Sequence, residues 1–338
     1  MIDYYKIKSV EIEASSYCNA ACPLCPRNVF GYPYQNGYTP THLTFENIKH
    51  IFDVSFIKQL DKIAFEGNLG DPLMNPQLLE IISFLKEINV NLEIDVCTNA
   101  SLGTQKFWES LARLQVKVIF ALDGTENTHH LYRRGTDFNK IIANAKIYID
   151  AGGDATWKMI KFDHNKHQIN ECQSMADSLG FKKFIVVDHG RNTGPVFDKN
   201  GDLEYVLGNW KGETKLTKIL DTIQHGDILI EDINSVTNNN VWCPAMFDQS
   251  IYISAIGEVY PCCFMGFNPT TFGHGTWHQP VNAQIKNLLK NNNALKFSLK
   301  ECIEWFEKIP SCWNKTDFKN GRLIVCDQHC SPKKELTY

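Results

Sequence analysis

A chain of 338 residues with 43% hydrophobic and 21% charged side chains has room for one large α/β domain and a smaller appendage. Its formal charge is −4 with no concentrated run of Lys or Arg, which argues against a broad nucleic-acid footprint. No segment has the length and apolarity of a signal peptide or a membrane span, so a cytoplasmic, membrane-free location is expected.

In chain order, Val10, Ile12 and Ala14 alternate with Glu11 and Glu13, the period of a strand. Thr44 can cap a helix carrying Phe45, Ile48, Ile51 and Phe52, and residues 63–65 read as a short buried strand. Pro76 opens a helix with Leu78, Leu79, Ile82 and Leu85 on one face. Strands over 92–97, 116–122, 156–162 and 183–187 then alternate with helices over 104–114, 137–150 and 166–179. Such repeated β-α units predict a parallel sheet with helices outside. Six units are too few for a closed eight-stranded barrel, so the expected fold is α/β, a partial (β/α)6 TIM-like barrel.

The rhythm stops after Asp188. Residues 189–210 read as irregular loop and 214–230 as a helix followed by a strand. The Asn-rich stretch 234–240 suggests a boundary between a core of 1–233 and a small α+β unit of 234–338. In that unit, residues 250–254 and 258–260 around Gly257 resemble a hairpin, and 285–306 read as largely helical.

Twelve cysteines in a chain without an export signal are hard to reconcile with disulfides, because reducing compartments keep thiols free. They also cluster. Cys18, Cys22 and Cys25 lie together, Cys243, Cys262, Cys263, Cys302, Cys312, Cys326 and Cys330 crowd the C-terminal third, and Cys97 and Cys172 stand alone. Metal or cluster ligation is therefore expected. The first set follows the first strand as C-x3-C-x2-C, at the sheet edge where ligands bind in parallel α/β folds. Three thiolates on one short loop can hold three irons of a 4Fe–4S cube and leave the fourth open for chemistry. Structural zinc is the rival, although zinc ribbons use four ligands.

These residues resemble the radical S-adenosylmethionine (SAM) superfamily, whose signature is C-x3-C-x2-C on the first βα loop of a partial barrel. The resemblance extends over about residues 7–190. Residues 65–73, FEGNLGDPL, look like the family's GGEP segment, with Gly70 in the turn and Asp71 where Glu is usual. Thr98-Asn99 resembles the TNG segment, and residues 121–124, ALDG, resemble the SLDG segment with Ala121 replacing Ser. Residues 130–134 resemble the helix whose arginine steadies the SAM carboxylate. The resemblance implies SAM contacts at Leu24, Gly70, Asp71, Asn99, Asp123 and Arg134, and a cluster on Cys18, Cys22 and Cys25. It also implies one-electron cleavage of SAM to a 5′-deoxyadenosyl radical that abstracts a substrate hydrogen, fed by a reductant such as flavodoxin or ferredoxin.

Cys243 and Cys262 bracket Gly257 as C-x13-G-x4-C, similar to the opening of the SPASM and twitch extensions, and Cys326-x3-Cys330 supplies a second pair. The resemblance implies an auxiliary 4Fe–4S cluster on Cys243, Cys262, Cys326 and Cys330, with Cys312 the alternative fourth ligand. Cys302 reads as core, and Cys263 as pointing away from its neighbour's ligand site. Cys97, near the end of the third strand, is a candidate hydrogen donor. The implied activity is oxidation, crosslinking or epimerisation of a peptide or protein, or alternatively dehydrogenation of a small molecule. With the first strand within ten residues of Met1, no amino-terminal leader-binding domain is expected. A non-catalytic electron carrier and a zinc-stabilised binding module are the competing classes.

Overall fold

The computed structural model describes residues 1–33, 39–188, 193–225, 241–267 and 278–330. Eight strands form one sheet in the order β10-β9-β1-β2-β3-β4-β5-β6. They are β1 Ser9–Ile12, β2 Lys62–Phe65, β3 Glu93–Thr98, β4 Lys117–Ala121, β5 Asp154–Ile160, β6 Lys183–Val187, β9 Ser250–Ile253 and β10 Val259–Tyr260. Strands β1 to β6 are parallel and in sequence order, and the sheet stays open between β10 and β6. This is the partial barrel expected from the alternation of elements.

Period-two patterning builds its two faces. Val10, Ile12, Ile63, Phe65, Ile94, Val96, Val118 and Phe120 are fully buried in the core that includes Leu78, Ile82 and Leu85 of the helix Leu78–Ile88. Full burial of each such side chain contributes roughly 1.5–3 kcal/mol. Glu11, Ala64, Cys97, Ile119 and Lys158 alternate with them and are half-buried on the opposite, concave face. Thr44 caps the helix Phe45–Ile51 through a reciprocal capping box with Asn47.

Two expectations change. Residues 189–210 are not wholly irregular: β7 Gly194–Phe197 and β8 Leu203–Leu207 form an antiparallel hairpin. Its strands pair with each other rather than with the main sheet, with Val196 and Leu207 in the apolar cluster around Cys22, so no βα rhythm announces it. The stretch 285–306 is broken into the end of the helix His278–Leu288, a turn segment, the helix Leu299–Ile303 and a 3₁₀ turn, because Ser298 starts a new capping box with Glu301. The hairpin β9–β10 forms as expected, with Gly257 at φ +80° in its turn. It then extends the barrel sheet, β9 running parallel to β1 with Glu11 opposite Tyr252. The expected strand after the helix Leu216–His225 and the 234–240 spacer lie outside the described residues.

Candidate active site

The loop after β1 carries Cys18, Cys22 and Cys25 at the C-terminal edge of the parallel strands. It folds on itself: Cys25 N–H donates to Cys22 O at 3.0 Å, and Asn28 Nδ2 donates to the same carbonyl at 3.1 Å. Cys22 is buried and the other two are half-buried. Burial pushes the Cys18 and Cys22 thiols up to about 11, and the Arg133 guanidinium opposes that rise at Cys22.

The atoms facing these sulfurs are hydrogen-bond donors. Ala20 N–H lies 3.4 Å and Asn99 Nδ2 3.7 Å from Cys18 Sγ, and Arg133 Nη1 lies 4.0 Å from Cys22 Sγ. Three uncrosslinked thiols on one loop, met by N–H groups and a guanidinium, fit the thiolate donor set of an iron–sulfur cube. Among the described residues no three Cys, His, Asp or Glu side chains converge on one point as around a single ion. A cube, held by one thiolate at each of several corners, does not require that convergence.

The loops after β2 to β5 complete the edge. Gly70 crosses the chain at Ser15 so closely that a Cβ would stand 1.7 Å from the Ser15 carbonyl oxygen. Asp71 is fully enclosed. Its carboxylate accepts from Thr98 Oγ1 at 2.8 Å, Asn99 N–H at 2.7 Å and Leu73 N–H at 3.0 Å. These bonds tie the second loop to the third. Asn99, so held, reaches both Cys18 and Asn19 Oδ1. Asp123 accepts from Ile160 N–H at 2.6 Å and from Arg133 Nε at 2.6 Å, which holds Arg133 beside the cysteine loop.

Arg134 is held by the hairpin. Its guanidinium donates to Phe197 O and to Glu204, pinning the β7–β8 hairpin, while Arg133 faces Cys22. The backbone turn after the helix Glu126–Tyr132 sends adjacent arginines in opposite directions, which their sequence order alone does not reveal. Leu24 packs with Val29, Phe30 and Phe197 beside the same hairpin.

The second cysteine set is assembled from three segments. Cys326 and Cys330 sit one turn apart on and just after the helix Ile324–His329. Cys330 hydrogen-bonds both Cys243 and Cys326, and Cys262 lies close enough to feel Cys330 and Cys243. Trp242 N–H donates to Cys330 O at 2.7 Å, joining the two ends. A buried Arg322–Asp327 ion pair at 2.8 Å braces the helix. Cys312 and Cys302 donate instead to Lys308 O and Phe297 O near their own turns. Cys263 starts a helix rather than continuing a strand, and its thiol hydrogen-bonds Glu11. Cys97 faces the concave side, its thiol pushed up to about 12 by burial and by the neighbouring Glu66.

Residues 12–169 match the Radical SAM superfamily. That stretch, just under half of the chain, is a radical SAM domain, and the family implies SAM and a 4Fe–4S cluster. It is 29% identical to an uncharacterized protein of Methanocaldococcus jannaschii over 36% of this chain and 40% of that one. It is 23% identical to a cysteine-type anaerobic sulfatase-maturating enzyme of Clostridium novyi, over 87% of this chain and 84% of the relative. Identity to the radical SAM cyclopropyl synthase TigE of Paramaledivibacter caminithermalis is 22%, over 88% and 64%. The chain thus spans well under half of the first of these relatives and just under two thirds of the last. The fold is shared with native anSMEcpe with bound AdoMet and Cp18Cys peptide, at TM-score 0.55, 16% identity and 93% and 87% coverage. It is also shared with Streptococcus suis SuiB bound to precursor peptide SuiA, at TM-score 0.54, 16% identity and 95% and 76% coverage. Among the described residues no helix is long and apolar enough to cross a membrane.

Proposed function

We propose that this protein cleaves SAM reductively and uses the resulting radical to oxidise or otherwise modify a peptide or protein, assisted by an auxiliary 4Fe–4S cluster. One observation carries the reading: a three-cysteine loop met by Asn99 and Arg133, with a separate four-cysteine set gathered from distant segments. Cys18, Cys22 and Cys25 would hold a 4Fe–4S cube, which when bound would supply the electron for splitting SAM into methionine and a 5′-deoxyadenosyl radical. The chain's own residues do the positioning. Asp71 and Thr98 hold Asn99 against the loop, Asp123 aims Arg133 at it, and Gly70 lets the second loop lie across the first. The apolar cluster of Cys22, Tyr132, Ile160, Phe162 and Val196 excludes water from one side, as radical chemistry demands.

Cys243, Cys262, Cys326 and Cys330 are the proposed auxiliary ligands, in a unit of about 234–338 following a core of 1–233. The substrate class is supported by the names of the relatives, a sulfatase-maturating enzyme and a cyclopropyl synthase, and by the peptides bound in two of the similar structures. Twelve cysteines without a disulfide suit a reducing, cytoplasmic setting with a flavodoxin or ferredoxin as electron donor. The test is anaerobic reconstitution followed by SAM and dithionite. Production of 5′-deoxyadenosine that disappears in Cys22→Ala supports the reading; intact SAM beside a reduced cluster refutes it. Co-production with short peptides encoded beside the gene, read by mass spectrometry, tests the substrate class. An unchanged peptide alongside a turned-over small molecule would refute the peptide reading.

A further inference from the structure

The glycine-rich loop at 67–71 and the segment 252–263 are far apart in sequence but share one set of hydrogen bonds. Glu13, just past β1, accepts from Leu69 N–H at 2.5 Å and Gly70 N–H at 3.0 Å. The same carboxylate accepts from Tyr252 Oη at 3.2 Å and from the Ala255 N–H, and the Glu13 N–H donates to Ile253 O at 2.9 Å. One side chain therefore grips the glycine-rich loop with one oxygen and the β9 hairpin with the other. A second link runs beside it: Asn68 Nδ2 donates to the carbonyl of Cys263 at 3.0 Å. Cys263 is also held through its thiol by Glu11 of β1, and it directly follows Cys262.

We infer that Asn68 and Glu13 are positioning residues that couple occupancy of the glycine-rich loop by SAM to the order of the Cys262–Cys263 segment. The inference rests on the proposed SAM reading of that loop. Gly70 is wedged on Ser15 and Asp71 is locked to Thr98 and Asn99, so a ligand settling on the loop adjusts residues 67–69. Any such adjustment acts on the Asn68 amide and on the Leu69 N–H that Glu13 holds. Because the link is equilibrium coupling, it is reciprocal: what orders 252–263 also favours SAM binding by the same factor. A single amide donor sets a modest coupling, about fivefold, at the low end of the usual range.

Hydrogen exchange on the reconstituted protein with and without SAM tests this. In the wild type, SAM should slow exchange both at 67–71 and in 250–266. In Asn68→Ala and Asn68→Asp, which remove the donor from a half-buried surface side chain and leave the Glu13 link in place, protection at 67–71 should persist while that at 250–266 falls. SAM affinity should fall about fivefold in both variants, and Asn68→Gln should restore part of each effect. Unchanged protection of 250–266 in the variants, or none there in the wild type despite protection at 67–71, overturns the coupling and leaves the SAM reading standing. Absence of protection at both places overturns the two together. Because Cys262 is itself a proposed auxiliary ligand, wild type and variants are compared at matched iron content.

Discussion

The two cysteine sets solve the same problem by opposite means. Cys18, Cys22 and Cys25 belong to one short loop, whose ligand spacing is written in local sequence and whose sulfurs meet donors from neighbouring βα loops. Cys243, Cys262, Cys326 and Cys330 come from three segments brought together by a hairpin, a helix and the Trp242 to Cys330 contact. A loop-borne set depends on few long-range contacts and leaves one corner of a cube without a protein ligand. A set assembled from distant segments can close every corner, but needs the surrounding fold to be intact. The first arrangement suits a reactive site and the second an electron-handling one.

The sharpest way to break this contrast is to remove one ligand from each set. Cys22→Ala should abolish 5′-deoxyadenosine formation and lose about four irons per chain. Cys262→Ala or Cys326→Ala should also lose about four irons, yet keep SAM cleavage measurable by chromatography. Cys312→Ala should leave iron content unchanged, and a loss there equal to that in Cys326→Ala would redraw the second set.

A smaller effect separates the two arginines. Arg133→Leu removes the cation beside Cys22 together with the partner of buried Asp123, and should lower SAM turnover by about 10–100-fold, as for other outer residues of metal sites. Arg134→Ala should reduce turnover far less and should chiefly loosen the β7–β8 hairpin, seen as faster proteolysis within 193–207. Equal losses of turnover would show that the hairpin, rather than Arg133, governs the loop.

The smallest effect concerns the seam between the regions. Burial, reinforced by Glu66, raises the Glu11 carboxyl from 4.5 to about 8. The folded chain then holds a proton that the unfolded chain releases, so stability should fall as pH rises from about 4.5 to about 8 and level off above. Glu11→Gln removes that titration, so thermal unfolding followed across this window should show a flatter profile than the wild type. An identical slope would mean that Glu11 is ionised in the folded state.

Much of the barrel could be read directly, because its determinants are local. The alternation of Val10 and Ile12 with Glu11 and Glu13 marks a strand, Thr44 marks a helix start, and C-x3-C-x2-C marks a ligand loop. The carboxylates of that first strand were visible as the polar half of its period, but nothing local said that Glu13 would hold both the glycine-rich loop and Tyr252.

Residue order and periodicity determined the parallel α/β core and the position of the cysteine loop at its edge, while the candidate membership of the second cysteine set came from the family resemblance. Tertiary structure alone decided that Arg133 rather than Arg134 faces Cys22, that Asp71 bonds to Asn99 and Asp123 to Arg133, and that β9 joins β1. Local periodicity reports which face of an element is apolar. Which of two adjacent side chains meets a partner many residues away depends on backbone direction at a turn and on packing between elements, which no single segment encodes.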